Sequence, residues 1–179
     1  MYYTTTYESP VGKLMLASSE SKLFGLWNDG QKYHGNTIFT NMTEKNDVPL
    51  FDSTKKWLDR YFAGQKPAIG ELPLAPKGSK FRLLVWNILC EIPYGEVITY
   101  GEIAKRLAAQ MGKEHMSAQA VGGAVGHNPI SIIIPCHRVV ASCGNLTGYA
   151  GGIQAKVKLL ELEGVDLSGY KIPTKGTAI

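Results

Sequence analysis

The chain has 179 residues, of which 44% are hydrophobic and 19% are charged, and its formal net charge is +4. These values are typical of a soluble globular protein with one large domain or two small ones. The mild positive charge permits a polyanionic partner without requiring one, and the lack of any stretch of roughly 18 consecutive apolar residues excludes a membrane span.

The cysteines indicate a reducing compartment. Only three occur, Cys90, Cys136 and Cys143, and no two of them form a Cys-x-x-Cys pair. The N-terminal residues Met1–Glu8 have neither the basic nor the apolar segment of a secretory signal. An odd number of cysteines without such a signal argues against a disulfide framework. We therefore expect a cytoplasmic protein with no membrane partner.

Residues 1–50 alternate short apolar runs with turn residues. Lys13–Ala17 and Lys22–Trp27 are such runs, and Asn28–Gly30 and Gly35–Asn36 are typical turn sequences. This pattern predicts a small antiparallel sheet.

A helix is predicted after this sheet. Asp52 is a suitable N-cap residue, and Gly64 is a suitable end. The face that would be buried carries Trp57, Leu58, Tyr61 and Phe62. Residues 65–79 contain three prolines and are the best candidate for a linker. We therefore divide the chain into a first domain, residues 1–75, and a second, residues 76–179.

The second region is predicted to be mostly helical. Residues 81–89 carry an apolar stripe with helical spacing, and a last helix is expected near residues 152–163. Thr99 and Glu102 have the spacing of a capping box, which predicts that a short helix begins there. Another short helix, near residues 117–127, follows a polar loop, and the pair is compatible with a helix-turn-helix. The predicted fold class is therefore α+β.

The helix near residues 117–127 has an unusual composition. Gly122, Gly123 and Gly126 lie inside it, and each interior glycine costs about 0.8–1 kcal/mol relative to alanine. One interpretation is tight packing against another helix. The other is a smooth face that lets a ligand or a nucleic-acid groove approach closely.

The segment around Cys136 carries the clearest chemical signal. An apolar, strand-like stretch, Ile132–Ile134, leads to Pro135, and Cys136 is followed at once by His137 and Arg138. Basic or cationic neighbours lower the pKa of a thiol toward working pH and so activate it. A lone cysteine after three isoleucines is also common in a protein core. The polar neighbours favour a nucleophile over this packing role.

The spacing of Cys136 and His137 leaves two possibilities. Successive side chains of an extended chain point to opposite faces, which makes a direct thiol–imidazole hydrogen bond awkward. Either the backbone turns at this point, or a water molecule bridges the two groups. A carboxylate on the other ring nitrogen would raise the basicity of the imidazole, and Glu161 and Glu163 are the nearest acidic candidates downstream.

Several segments together resemble one known family, the O6-alkylguanine-DNA alkyltransferases. They are Pro93–Tyr100, Gln119–Pro129, Ile134–Val139 and Gly148–Gly152. The resemblance is strong over residues 80–165, and the Pro-Cys-His-Arg run is highly specific. It implies a ribonuclease H-like first domain and a mostly helical, winged helix-turn-helix-like second domain.

The resemblance also implies which residues carry the reaction. Cys136 would accept the alkyl group from guanine O6 by in-line displacement, and His137 would draw the thiol proton through a bound water. Glu163 would orient His137, and Asn128 would brace the turn and the thiol. Tyr100 would donate a hydrogen bond or a proton to the departing guanine. Because a thioether is stable, the protein would be consumed after one transfer, and no cofactor is expected.

The same resemblance implies the DNA contacts. The small-residue helix would enter the minor groove and the damaged nucleotide would be flipped out, because a buried thiol cannot reach O6 inside a duplex. The implied DNA-binding residues are Thr99, Ala118, Gln119, Ala120 and Gly123. The implied base pocket is formed by Pro135, Val139, Tyr149, Ala150 and Gly151. The partner would be double-stranded DNA with O6-alkylguanine or O4-alkylthymine, bound by a monomer.

Two features differ from other members of the family. Gln119 stands where better-known members have an arginine that replaces the extruded base, and glutamine lacks the charge and the stacking plane of arginine. Some members hold a structural zinc in the first domain. Here no cysteine precedes Cys90, so no metal is expected.

Two other functions remain open. A cysteine hydrolase would need a remote histidine with its own orienting group, and His34, His115 and His127 have no local signature of this kind. A non-catalytic protein that binds damaged DNA would lack the reactive cysteine, so the presence of Cys136 argues against it.

Overall fold

The computed structural model describes residues 1–31 and 42–173, and the chain begins with a four-stranded sheet. The strands are β1 (Tyr2–Ser9), β2 (Gly12–Ser18), β3 (Leu23–Asn28) and β4 (Met42–Glu44). Their order is β3-β2-β1-β4. The first three pair antiparallel as predicted, whereas β4 pairs with β1 in parallel. The turn predicted at Gly35–Asn36 lies outside the described residues.

Helix α1 (Pro49–Phe62) packs against β1 and β2. It begins before Asp52, so the prediction of Asp52 as the N-cap was wrong. Proline at the first helical position has a suitable φ and lacks an N–H that would be unsatisfied there, which favours the earlier start. Asp52 lies instead in the first turn, where its charge interacts favourably with the helix dipole. The buried face includes Trp57, Leu58 and Tyr61, as predicted.

Helices are the predominant regular elements of the second region. They are α2 (Lys80–Cys90), α3 (Tyr100–Gln110), α4 (Ala118–Gly126) and α5 (Ile153–Leu162). The capping box is confirmed, because the Glu102 N–H donates to Thr99 Oγ1 at 3.2 Å and the Thr99 N–H donates to Glu102 Oε2 at 2.8 Å. Helices α3 and α4 pack together beside a parallel pair of short strands, β5 (Ile98–Thr99) and β6 (Val139–Val140). Within the described ranges, no helix has the length and apolar character needed to cross a bilayer.

The segment before Cys136 is a turn, so the prediction of a strand there was wrong. Ile132 has a φ of 69°, in the left-handed region that β-branched residues rarely adopt. Asn128 holds this turn, because its Nδ2 donates to the Ile134 carbonyl at 2.8 Å and its Oδ1 accepts from the Ile130 N–H at 3.0 Å. The isoleucines are all buried, and the periodicity of such a run cannot separate a buried turn from a buried strand.

Strand β3 joins the two halves of the chain. The Leu26 N–H donates to the Pro129 carbonyl and the Ser131 N–H donates to the Leu26 carbonyl, each at 2.9 Å. The predicted linker, residues 65–79, also pairs with β3. One apolar core includes side chains from both halves, and the division at residue 75 stays a prediction. Strand β3, which belongs to the first half, is therefore hydrogen-bonded directly to the turn that precedes Cys136.

Candidate active site

Cys136 is the first residue of a 3-10 turn, Cys136–Arg138, and only 4% of its surface is exposed. Burial raises the pKa of its thiol, while a hydrogen bond with Asn128 and the charge of Lys156 act in the opposite direction. The net pKa is raised, so the thiol is protonated at neutral pH. It needs a base to become a nucleophile.

The 3-10 turn directs His137 toward the end of α5. Its Nε2 lies 2.7 Å from Glu163 Oε1, and both side chains are fully buried. Facing a carboxylate, Nε2 carries the proton, and Nδ1 keeps its lone pair. Nδ1 is buried and has no hydrogen-bond partner in the described part of the chain, so no direct thiol–imidazole bond is present. Burial lowers the pKa of His137 more than Glu163 raises it, which leaves a neutral imidazole that can accept a proton.

Glu163 provides the carboxylate, whereas Glu161, the other candidate, is exposed. Arg138 binds it with two hydrogen bonds, from Nε to Oε2 at 2.8 Å and from Nη2 to Oε1 at 3.0 Å. The Gly95 N–H donates to Oε2 at 3.1 Å. Burial raises the pKa of this carboxyl, but the hydrogen bonds from His137 and Arg138 and the charge of Arg138 outweigh burial and leave the pKa lowered. Glu163 is therefore an anion at neutral pH.

Arg138 and Tyr61 belong to this network but were not among the predicted site residues. Tyr61 lies on α1, and its hydroxyl donates to Glu163 Oε1 at 2.6 Å. Arg138 also donates from Nη1 to the Ile92 carbonyl at 2.6 Å. The position of Arg138 directly after His137 in the sequence could have indicated that it belongs to the site. A tyrosine on the buried face of a distant helix has no such local signal.

Lys156 is another site residue that was missed. Its side chain is completely buried, and its ammonium donates to the carbonyls of Val139 and Thr147 at 2.5 and 2.9 Å. Burial lowers its pKa to about 8, although the charge of Cys136 acts to raise it. The sequence could have indicated this buried lysine, because Lys156 precedes Leu160 by one helical turn and so lies on the apolar face of α5.

A pocket of about 800 Å³ opens between α3, α4 and the loop that follows β6. Its lining includes Tyr100, Ala118, Gln119, Gly123 and Ala150, which were predicted as site residues, and Gly148, from the loop predicted to accept the flipped base; Thr147 also lines it and was not predicted. Of the other predicted DNA contacts, Ala120 is exposed on the first turn of α4, and Thr99 caps α3. The volume lies within the range of small-molecule sites.

Tyr100 forms one wall of the pocket. Its hydroxyl lies 3.3 Å from the Gly148 carbonyl oxygen and 3.4 Å from that of Thr147, to which it can donate. Burial, followed by the charge that Cys136 carries as a thiolate, raises the pKa of Tyr100 to about 12, so the phenol stays protonated at neutral pH. A Cβ added to Gly148 would lie 2.2 Å from the Tyr100 hydroxyl oxygen, and Gly148 has a φ of 87°. Both facts require glycine at this position.

The glycines of α4 face open space. A Cβ added to Gly123 or Gly126 would meet no described atom within 4 Å, and one added to Gly122 would make ordinary contact with Tyr100 at 3.8 Å. All three glycines line the pocket. These distances contradict the tight-packing interpretation and favour a smooth face open to a ligand or a groove. Gln119 is exposed near the start of the same helix.

The remaining predicted pocket residues lie beneath the surface or at its margin. Tyr149 is fully buried, and its ring meets the ring of His137 edge-on at a centroid distance of 6.4 Å. Pro135 and Val139 are buried too, and Gly151 is partly exposed. None of these four contributes to the lining of the pocket as the described residues form it.

Of the other histidines, the structure describes His115 and His127. His34 lies outside the described residues, His115 is exposed, and His127 donates from Nδ1 to the Gly123 carbonyl at 2.6 Å. Within residues 1–31 and 42–173, no cluster of His, Cys, Asp or Glu side chains could hold a metal ion.

Two family models together match most of the chain. One, described as 6-O-methylguanine DNA methyltransferase, ribonuclease-like domain, matches residues 1–76. The other, described as 6-O-methylguanine DNA methyltransferase, DNA binding domain, matches residues 80–165. The predicted family and fold class are thereby confirmed.

Individual proteins give the same result. Methylated-DNA–protein-cysteine methyltransferases of Haemophilus influenzae and Methanosarcina acetivorans are 40% and 42% identical to this chain, covering 90% and 92% of it and 86% and 99% of the relatives. The crystal structure of Mycobacterium tuberculosis OGT in complex with DNA matches with a TM-score of 0.77 and 41% identity, covering 94% of each chain. The chain therefore belongs to the 6-O-methylguanine DNA methyltransferase family.

Proposed function

We propose that this protein repairs alkylated DNA by moving the alkyl group from guanine O6 to the sulfur of Cys136. The observation that carries the proposal is the buried Cys136, His137 and Glu163 arrangement, in which a neutral imidazole keeps an unpartnered Nδ1 within the described structure. Relatives named for methyl transfer from DNA to a protein cysteine support the same reaction. We extend it to O4-alkylthymine, whose alkyl group is bonded to an exocyclic oxygen of the base in the same way.

The first step removes the thiol proton. His137 draws the proton of Cys136 through one water molecule to Nδ1, and Glu163 stabilises the imidazolium that forms. Lys156, which is buried and cationic, stabilises the thiolate. Asn128 holds the turn and donates toward the sulfur.

The second step is an in-line displacement at the alkyl carbon. The bond between this carbon and Cys136 forms as its bond to O6 breaks, and the electron pair of the broken bond goes to guanine. Tyr100, which stays protonated, donates a hydrogen bond or a proton to the departing base. The thiol loses one proton and guanine gains one, so the reaction balances without a cofactor.

Each molecule reacts once, because a thioether is stable. Of the other cysteines, Cys90 has a pKa raised to about 11, chiefly by burial, which makes it a poor nucleophile. Cys143 lies in an exposed turn. Cys136 is thus a substrate of the reaction as well as its nucleophile.

The DNA contact that we propose is made by α3 and α4. The glycine face of α4 can approach the sugar-phosphate walls of the minor groove closely, and the damaged nucleotide is flipped into the adjacent pocket. Gln119 hydrogen-bonds to the orphaned partner base without the cationic stacking of an arginine. The loop that contains Tyr149, Ala150 and Gly151 supports the flipped base.

We also propose a cytoplasmic location. The cysteines are free, and Cys136 reacts only while it is reduced. A reducing compartment maintains that state.

Intact-mass spectrometry tests this function. After incubation with duplex DNA that contains O6-methylguanine, the peptide with Cys136 should gain one methyl group. Cys136→Ala should gain none, and Cys143→Ala, the matched control, should react like the wild type. Many product molecules per protein would indicate a hydrolase, and binding without an adduct would indicate a damage-binding protein. Either result contradicts the proposal.

A further inference from the structure

Helix α1 supplies a hydroxyl to the carboxylate behind His137. Tyr61 is 1% exposed, and its hydroxyl donates to Glu163 Oε1 at 2.6 Å. The same oxygen lies 2.7 Å from His137 Nε2 and 3.0 Å from Arg138 Nη2. Three donors therefore converge on one carboxylate oxygen, and the Tyr61 hydroxyl lies only 3.4 Å from His137 Nε2.

These donors compete, because a carboxylate oxygen has only about two lone-pair sites. Each hydrogen bond to Glu163 Oε1 draws negative charge away from the others. The hydroxyl of Tyr61 therefore weakens the support that Glu163 gives to a protonated His137. Burial, and then Glu163, raise the pKa of Tyr61, so this donor keeps its proton at neutral pH.

Packing holds the hydroxyl in place. The ring of Tyr61 stacks on Trp57 at a centroid distance of 5.6 Å and meets Tyr94 edge-on at 6.0 Å. The Trp57 indole is itself fixed, because its N–H donates to the Ala68 carbonyl at 2.9 Å. The position of the hydroxyl is thus set before any substrate binds.

We propose that Tyr61 is a positioning residue for alkyl transfer, which fixes the Glu163 carboxylate and limits how strongly His137 retains a proton. The inference rests on the proposed transfer to Cys136. It makes the first half of the chain part of the reactive site, since Tyr61 and Glu163 fall within the two separately matched regions, residues 1–76 and 80–165.

Other ionisable groups, on several elements, lie close to Tyr61, His137 or Glu163. They are Tyr94 before β5, Arg138 in the 3-10 turn, Tyr149 in the loop after β6, and Lys156 on α5. Burial lowers the pKa of His137, Glu163 raises it, and Arg138 and Lys156 lower it. Tyr61→Phe leaves all of these groups in place and keeps the ring, so it isolates the contribution of the hydroxyl.

The test is the pH dependence of single-turnover alkylation of Cys136 by O6-methylguanine duplex DNA. Loss of the hydrogen bond that Tyr61 donates to the Glu163 carboxylate should move the acidic limb of the profile upward by about 1–2 pH units in Tyr61→Phe. The NMR signals of the His137 ring, titrated without DNA, should show the same shift.

Tyr7→Phe is the matched control. Tyr7 also donates to a carboxylate, Asp59 Oδ1 at 2.7 Å, but in an exposed hydrogen bond, so its removal should leave the pH profile unchanged. The inference is overturned if the pH profile and the His137 titration of Tyr61→Phe match those of the wild type, or if they shift to lower pH. This holds even if the melting temperature of the variant falls. If the wild type forms no adduct at Cys136, the proposed function fails, and the NMR titration still decides the role of Tyr61.

Discussion

Replacing Glu163 with glutamine tests the buried charges around His137. The Glu163 side chain is fully buried and the Arg138 side chain is 8% exposed, so bulk water solvates neither charge well. Glutamine keeps the shape of the side chain but leaves the guanidinium without its anion. Breaking a buried ion pair in this way costs about 3–5 kcal/mol. We expect the free energy of unfolding, measured in urea, to fall by that amount.

A double variant separates the charge from the shape. With Arg138→Met and Glu163→Gln together, no unpaired charge is left at this position, so replacing both partners of the ion pair should cost less than the two separate replacements combined. The double variant should therefore be more stable than the sum of the two single losses predicts, by about 1–3 kcal/mol. Urea unfolding of the wild type, both single variants and the double variant gives this coupling energy.

The same carboxylate predicts a pH dependence. The pKa of Glu163 is lowered in the folded protein, so its contribution to stability is present above the unfolded-state pKa of about 4.3. That contribution is lost as the pH falls toward the lower pKa of the folded state. The stability of Glu163→Gln should decline less over this range. Three results would refute a buried ion pair at the centre of the site. They are a loss of stability below about 1 kcal/mol in Glu163→Gln, single-variant losses that add up to the loss of the double variant, and parallel stability–pH curves for the wild type and Glu163→Gln.

Single contacts elsewhere lead to further expectations. Lys156→Met removes the cation that favours the Cys136 thiolate, so the thiol pKa, measured by the pH dependence of iodoacetamide alkylation, should rise; an unchanged pKa would contradict this role. Gly148→Ala places a Cβ against the Tyr100 hydroxyl at a positive φ, so urea unfolding should show a loss of at least about 1–2 kcal/mol, and a neutral change would count against this packing. Gln119→Arg adds an exposed cation near the start of α4, so fluorescence anisotropy should show tighter duplex binding with a steeper salt dependence; unchanged binding would argue against an α4–DNA contact.

Local patterns account for what could be predicted from the sequence. The capping box of Thr99 and Glu102 depends on residues three positions apart, and the structure contains it. The interior glycines of α4 were unusual in the sequence itself, and their open surroundings decide between the two interpretations. The prediction of a strand at Ile132–Ile134 was wrong because burial produces the same apolar pattern in a turn as in a strand.

Contacts between distant segments could not be predicted in this way. Tyr61 and Glu163 are 102 positions apart, and Tyr61 has the same helical spacing as the other core residues of α1. Only the folded chain shows that its hydroxyl meets a carboxylate. Lys156 is an intermediate case, since its place on an apolar helix face was visible, whereas its partners, the Val139 and Thr147 carbonyls, were not.

The arrangement of buried charges explains how a thiol with a raised pKa can still act as the nucleophile. The proposed proton transfer from Cys136 to His137 would create an anion and a cation in a buried site. The charge of Lys156 favours the Cys136 thiolate, and Glu163, which Arg138 already holds in place, stabilises the His137 imidazolium. Because these charges are in place before the reaction, the protein need not reorganise to stabilise the ion pair. Burial therefore keeps the thiol protonated at rest without preventing its ionisation when the substrate arrives.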